Sequence, residues 1–287
     1  RAQAGRGDLL RHLERRRVLE TGRLMATVSV GIVAYNNQST IRKTLSSLLE
    51  HSPKQHVLEI IVIDNYSKDG TSEIIRKQFK KTPNTKIILN NKNIGFAKGH
   101  NRILNYVDSD YHAICNPDIY FQNEIFSPLV DFMIRNPDIG IVSPKFCYPD
   151  GKLQHLNRRY PNVLDLILRR VLPGSKEKLF RKRLESYDMR DVGYERSYDV
   201  PFLSGAFMFC RTELLKKIKG FDERFFLYFE DADLSRRIQN EGYRTVYFPE
   251  VSVIHSWQRM AHRSVKGSII FALSALRYFR KWGFVWC

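Results

Sequence analysis

An aromatic run, Phe225-Phe226-Leu227-Tyr228-Phe229, leads straight into Glu230-Asp231-Ala232-Asp233-Leu234. Aromatic neighbours strip water from a carboxylate and raise its pKa toward that of a useful general base, whereas a helix start opposes the shift. Asp231 and Glu230 are therefore candidates for taking a proton, and equally for complementing a helix dipole at its first turn. Cys115-Asn116-Pro117-Asp118 offers an amide and a carboxylate at alternate positions. On an extended segment Asn116 and Asp118 share a face and can address one hard cation, or they form a plain turn. His255 follows an apolar run, where an imidazole can complete a metal shell if a carboxylate is near. Asp64, in Asp64-Asn65-Tyr66-Ser67, can accept from a nucleobase imide or a ribose hydroxyl, or cap a turn. The stretch from Asn91 to Asn101 carries Gly95 and Gly99, which let backbone approach a ligand and turn free N–H groups toward an anion. It matches neither GxGxxG nor GxxxxGK[ST]. Ser204-Gly205-Ala206 supplies small residues and donors for a sugar, or ordinary packing in a strand.

Most of these segments begin where an apolar run stops. Strands are expected at 28–34, 58–63, 85–89 and 111–115, separated by helices at 40–50, 71–80 and 97–107. Ile60-Ile61-Val62-Ile63 is apolar at successive positions, as in a parallel strand covered by helices on both faces. Further on, the pattern predicts a strand at 200–210, a helix at 213–219 stopped by Gly220, a helix from 231 to 240, and strands at 244–248 and 251–254. The ligand crevice of an open α/β sheet lies beyond the carboxyl ends of its strands, where Asp64, Asn116 and Asp118 fall.

Composition narrows the partners. The chain has 287 residues, 43% of them hydrophobic, enough for a packed core. Its 47 Lys+Arg against 30 Asp+Glu leave a charge of +17, which favours anionic partners. The excess is local. Residues 158–190 hold ten Lys/Arg against four acids and read as an insert beside the site. Val265, Ile269, Ala272, Leu276 and Phe279 share one face of a C-terminal helix that also carries Lys266, Arg277, Arg280 and Lys281, a pattern suited to a membrane interface. Residues 1–24, with seven arginines and three acids, differ in composition from the rest and are expected to be a non-native or disordered extension, with Met25 as the native start. The cysteines at 115, 147, 210 and 287 form no CxxC pair, which argues against a zinc ribbon or a disulfide scaffold and for a reducing compartment. No run of about twenty apolar residues suggests a spanning helix.

Taken in order, VSVGIVAYNN, IIVIDNYSKDGT, NNKNIGFAKGHN, ICNPDI, LSGAFMFCR, GFDERFFLYFEDADLSRR and VIHSW resemble the family 2 glycosyltransferases, in particular their rhamnosyltransferase-like branch. The resemblance covers Val28 to Trp257. It implies an α/β GT-A fold at 25–257, with a nucleotide-sugar half at 25–120 and an acceptor half at 121–257, followed by a basic amphipathic segment at 258–287. It also implies an inverting transfer from a nucleotide-diphosphate sugar, with Mg²⁺ or Mn²⁺ as cofactor. Residue by residue, Ala34, Tyr35, Asn36, Asp64, Asn65 and Ser67 match nucleotide-binding positions, and Gly95, Phe96, Gly99 and Asn101 match the donor loop. Asn116-Pro117-Asp118 occupies the place of the DXD motif, with Asp118 as the metal ligand and Asn116 in place of the first acid. Asp231 matches the catalytic base and Glu230 its neighbour, His255 matches a histidine that in some members joins the metal, and Ser204, Gly205 and Ala206 face the acceptor.

The expected donor is dTDP-rhamnose and the expected acceptor a glycan or a polyprenyl-diphosphate-linked sugar. The expected location is the cytoplasmic face of an acidic membrane, with no nucleic-acid partner. A charge-driven nucleic-acid-binding protein is disfavoured because the motif loops keep their acids, and a sugar nucleotidyltransferase because no Gly-rich, Arg/Lys-bearing triphosphate loop follows the first strand.

Overall fold

The computed structural model describes residues 25–171, 177–256 and 265–286. The extension at 1–24 lies outside these, as do Trp257 and 258–264 of the C-terminal segment.

The first half builds as its pattern dictates. Strands β1 (Thr27–Ala34), β2 (Val57–Asp64), β3 (Thr85–Leu89) and β4 (Tyr111–Cys115) alternate with helices α1 (Ile41–Glu50), α2 (Thr71–Phe79) and α3 (Phe96–Leu104). They pair in parallel in the order β3-β2-β1-β4. Ile60, Ile61, Val62 and Ile63 are all buried, so both faces of β2 are covered. Helix α3 packs so closely on β1 that a Cβ on Gly99 would lie 2.8 Å from Val33. His112 on β4 donates to or accepts from Ser29 at 2.7 Å, and burial lowers its pKa to about 3, so this buried imidazole is neutral.

The second half makes the sheet mixed. It adds β5 (Ile119–Tyr120), α4 (Phe126–Arg135), β6 (Ile139–Cys147), α5 (Val163–Val171), α6 (Glu177–Tyr187), β7 (Tyr198–Asp199), β8 (Phe207–Arg211), α7 (Thr212–Lys217), α8 (Glu230–Asn240), β9 (Arg244–His255) and α9 (Val265–Trp282). Beyond β4 the order is β8-β6-β9-β5. β8 runs antiparallel to β4 and β6, β9 runs parallel to β6, and β5 and β7 pair antiparallel with β9.

Several expectations change here. The strand at 200–210 shortens to Phe207–Arg211, because the residues before it spend their N–H groups elsewhere: Leu203 donates to Ser235 Oγ and Gly205 to Asp231. The two strands at 244–248 and 251–254 are one, with a register shift from Pro144↔Phe248 to Lys145↔Ser252 that absorbs Pro249. Helix α4 and strand β6 had no counterpart in the sequence reading. Pro144 disguises β6, and it is tolerated because it stands at that same irregularity. The basic insert contains two helices, α5 and α6. On α9, Val265, Ile269, Ala272 and Leu276 face outward as expected, but Phe279 is buried with Tyr278 against Phe229 and Phe202.

Candidate active site

The carboxyl ends of β1, β2 and β4 lie on one sheet edge. Register places Ala34 beside Asp64, and Ile32 beside Cys115. Next to this edge opens a cavity of about 740 Å³. Its walls include Phe96, Asn116, Asp118, Ser204, Gly205, Ala206, Glu230, Asp231 and His255, residues from five separate stretches of sequence.

The acidic pair is presented by a strained turn. Tyr228 and Phe229 both adopt positive φ, 72° and 67°, immediately before α8. Bulky side chains avoid this region unless packing holds them there. Helix α9 does so: Phe271 lies 5.5 Å from the Tyr228 ring and 5.1 Å from the Phe229 ring, Tyr278 lies 5.6 Å from Phe229, and Ser274 Oγ donates to the Leu227 carbonyl at 2.9 Å.

The turn gives the two acids different surroundings. Asp231 is half-buried; its Oδ2 accepts the Gly205 N–H at 3.0 Å and its Oδ1 the Ala232 N–H at 2.9 Å. Burial raises its pKa, and the two N–H bonds and the Arg158 charge hold the rise back. Glu230 is 5% exposed and its Oε2 has no hydrogen-bond partner. Burial, and then the charge of Asp231, push its pKa well above the usual carboxylate value. The surroundings thus favour the protonated form more strongly at Glu230 than at Asp231, whose carboxylate is held by two N–H groups.

A second pair stands in the turn just before β5 and at the end of β9. Asp118 Oδ1 and His255 Nε2 are 3.5 Å apart, both buried and both without a hydrogen-bond partner. Gln154 Nε2 donates to the His255 carbonyl at 2.8 Å, which orients the amide. Its Oε1 then faces His255 Nδ1 at 2.8 Å, and an amide oxygen only accepts. Nδ1 therefore carries a proton, and Nε2 is the ring nitrogen turned toward Asp118, the one left to a metal. This donor set, a carboxylate oxygen beside an imidazole nitrogen, fits a divalent cation. Among the described residues no cluster of three or more His, Cys, Asp or Glu side chains could hold a metal.

Other expected residues behave differently. Asp64 is 4% exposed and accepts the Ser67 N–H at 3.3 Å, and Asn36 takes the Lys68 N–H at 2.8 Å and gives its own N–H to Ser67. With Ala34 and the exposed Tyr35, they form the neighbouring sheet edge and do not line the cavity itself. Asn65 is spent internally. Its Oδ1 accepts from Asn90 and the Ile94 N–H, and its Nδ2 donates to Asn93 and the Gly95 carbonyl, so it shapes the loop at 90–95 and has no amide group left for a ligand. Asn101 clamps Phe221, whose N–H it accepts at 2.8 Å and whose carbonyl it meets at 2.8 Å. Gly99 serves the contact with Val33, and Gly95 (φ 85°) the close passage of the Phe226 carbonyl, 2.6 Å from where its Cβ would be. Sequence motifs gave no sign of Gln154, nor of Arg158, Leu166, Arg169, Tyr187 and Phe271, which complete the cavity wall. The basic richness of the insert was the one available hint.

Comparison with known proteins agrees with this geometry. The model of Glycosyl transferase family 2 matches residues 29–219, and that of Glycosyl transferase family group 2 matches 178–281. N-acetylglucosaminyl-diphospho-decaprenol L-rhamnosyltransferase of Mycobacterium tuberculosis is 27% identical over 241 residues, 78% of this chain and 74% of that protein. Rhamnosyltransferase WbbL of Escherichia coli is 25% identical over 237 residues, 79% and 83% of the two chains. Among solved structures, the mannosyltransferase PcManGT of Pyrobaculum calidifontis, in complex with GDP-Man and Mn²⁺, aligns with a TM-score of 0.60 at 20% identity over 90% of this chain and 64% of its own. S. aureus TarS 1–349 in complex with UDP gives 0.56 at 18% over 88% and 72%. The mixed sheet with its flanking helices is the GT-A fold, and the chain, matched by the family model across two thirds of its length, belongs to glycosyl transferase family 2 and is a glycosyltransferase.

Proposed function

We propose that the protein transfers a sugar, with inversion, from a nucleotide-diphosphate donor to a glycan or polyprenyl-diphosphate-linked acceptor, with L-rhamnose from dTDP-rhamnose as the favoured donor. One observation carries the reading: the Asp231 carboxylate and the cation-ready pair Asp118–His255 line the same cavity. Single-displacement inversion needs one base for the acceptor hydroxyl and charge stabilisation for the departing diphosphate. Asp231 takes the proton while Gly205 and Ala232 fix its carboxylate. Asp118 and His255 would hold Mg²⁺ or Mn²⁺, whose chemistry is to neutralise the leaving nucleoside diphosphate. Asn116, Phe96 and the edge formed by Asp64, Asn36 and Ser67 are available to the nucleotide sugar. The choice of rhamnose is supported by the names of the relatives. Purified protein incubated with dTDP-rhamnose and Mn²⁺ is expected to release dTDP slowly, and to be stabilised thermally by that donor more than by other nucleotide sugars. Absence of any nucleotide-sugar effect, with or without metal, would refute the assignment.

The same reading places the enzyme on an acidic membrane surface, at the cytoplasmic face. No helix of the described residues is long and apolar enough to cross a membrane. Helix α9 instead exposes Val265, Ile269, Leu273 and Leu276 along one stripe, with Lys266, Arg277 and Arg280 exposed beside it and Trp286 68% exposed just beyond. An apolar stripe flanked by cations suits the headgroup region of an anionic bilayer. The protein should co-sediment with vesicles containing phosphatidylglycerol and not with pure phosphatidylcholine, and Ile269→Glu with Leu273→Glu should abolish this. Equal sedimentation of that variant would remove α9 as the anchor.

A further inference from the structure

The insert brings an excess of guanidinium groups to the cavity wall. Asp188, whose side chain is 6% exposed, is shared by three arginines: Arg158 Nε is 3.6 Å from Oδ1, Arg169 Nη2 bonds Oδ2, and Arg190 Nη2 is 3.8 Å from Oδ2. One carboxylate cannot neutralise three guanidiniums. Nor does it satisfy them: at 3.6 Å the Arg158–Asp188 contact is too long for a hydrogen bond, and both Arg158 Nε and Asp188 Oδ1 are buried without a partner. Arg158 and Arg169 line the cavity, and the Arg169 guanidinium lies 5.0 Å from the centre of the Tyr187 ring, another wall residue. Burial, then the charge of Arg158, lower the pKa of Arg169, which marks two like charges held together. Both stay charged, since a guanidinium does not deprotonate in proteins.

We infer that Arg158 and Arg169 form the subsite for a phosphate or diphosphate ester carried by the acceptor, whose apolar chain leaves along α5 and α9. The inference rests on the reading that an acceptor enters beside Asp231. Paired guanidiniums match the oxygens of a phosphate in fixed bidentate geometry. Arg158 is anchored through both its main-chain groups to Phe202, at 3.2 and 3.1 Å, two residues before Ser204, so it is built onto the wall that delivers the Gly205 N–H to Asp231. The leaving nucleoside diphosphate has a separate source of charge in the Asp118–His255 pair, which stands on other elements. Leu166, three residues before Arg169 on α5, and Phe271 of α9 continue the wall with apolar surface. The other face of α9 is the exposed stripe. A ligand with its anion on the arginines therefore meets apolar walls and then the surface proposed to meet the bilayer.

Calorimetric titration of the full chain in EDTA, with farnesyl diphosphate, farnesol and dTDP as probes, tests this. Farnesyl diphosphate should bind at least about tenfold more tightly than farnesol, and Arg158→Gln with Arg169→Gln should cost at least about tenfold in its Kd, as expected for lost hydrogen bonds between charged groups. Lys152→Gln, which removes one exposed charge elsewhere, should leave that Kd unchanged. If the double glutamine variant loses its native melting transition, Arg158→Lys with Arg169→Lys, which keeps the charge and loses the fork, should still weaken binding severalfold. Equal affinity for the diphosphate and the alcohol, or unchanged diphosphate affinity in the variants, would overturn the subsite. So would a loss confined to dTDP, which would assign the arginines to the donor. The titration does not depend on the donor, so a wrong donor assignment would show only in the dTDP-release experiment, with farnesyl diphosphate binding intact.

Discussion

Replacing Asp231 with asparagine should lower kcat by roughly 10²- to 10⁴-fold, the usual worth of a positioned general base, while the affinity for nucleotide sugar is retained. Asparagine is isosteric, and its amide oxygen can still accept the Gly205 N–H that Asp231 Oδ2 accepts at 3.0 Å, so the link between the loop and α8 is kept. The capacity to take a proton disappears, together with the acceptor for the Ala232 N–H. Glu230→Gln supplies the contrast. Glu230 is buried with its pKa pushed well up, so the neutral, isosteric glutamine resembles the form its surroundings favour and should leave kcat close to native. The pair of variants thus separates the base from its neighbour. The pH profile carries the same assignment. Because burial raises the pKa of Asp231 above the ordinary 3.8, its ionised form is fully present above that raised value and is lost as pH falls through it, giving kcat/KM an acid limb above pH 3.8. Arg158→Gln would move that limb upward, since the Arg158 charge favours the ionised form. Steady-state kinetics on Asp231→Asn showing near-native kcat would eliminate Asp231 as the base.

How far the sequence revealed this site depends on the kind of constraint each residue obeys. The parallel half was legible because β2 is apolar at successive positions and its helices carry an apolar face, signals that local periodicity preserves. Strand β6 was not, because Pro144 sits at a register shift that depends on β9, more than a hundred residues away. Asp118, Asp231 and His255 were legible as chemistry: each follows a recognisable motif, and the fold does bring them to one cavity. Asp64 reaches only the adjoining edge. Asn65 and Asn101 look like binding residues in a string of amides, and only the coordinates show that their hydrogen bonds are consumed by the loops they hold. The reverse error hid Gln154 and the insert arginines. An isolated glutamine carries no pattern, and arginines on a helix look like a solvated face until Asp188 and the cavity are seen beside them.

Asp233 has the largest expected effect on stability, and it lies outside the chemistry. It is fully buried on α8, two residues beyond Asp231, and its carboxylate ties three elements together. Oδ2 accepts from Arg237 Nε at 2.8 Å, while Oδ1 accepts from Trp282 Nε1 at 2.8 Å and from Lys281 Nζ at 2.6 Å, both at the end of α9. Arg237 in turn reaches the carbonyls of Ile218 and Gly220, on the loop behind α7. Removing the charge leaves Arg237 without a countercharge in a largely dry site and frees the Trp282 N–H, while Lys281 keeps only Asp222, at 2.8 Å. Breaking such a buried pair from one side typically costs about 3–5 kcal/mol, because the remaining charge stays desolvated. Asp233→Asn, which can still accept one of these bonds, should fall near the lower end, lowering the melting temperature by roughly 5–10 °C. By contrast, Lys217→Ala, which removes an exposed pair with Glu241, should leave the melting temperature unchanged. The consequence should extend to activity. Helix α9 holds Tyr228 and Phe229 in their left-handed conformations through Phe271, Tyr278 and Ser274, and that turn aims Asp231 at the cavity. A loosened α9 should therefore lower kcat even at temperatures where Asp233→Asn remains folded. Differential scanning calorimetry showing a shift below about 2 °C for Asp233→Asn would mean that the strut between α8 and α9 contributes little, and that the strained turn is held by aromatic packing alone.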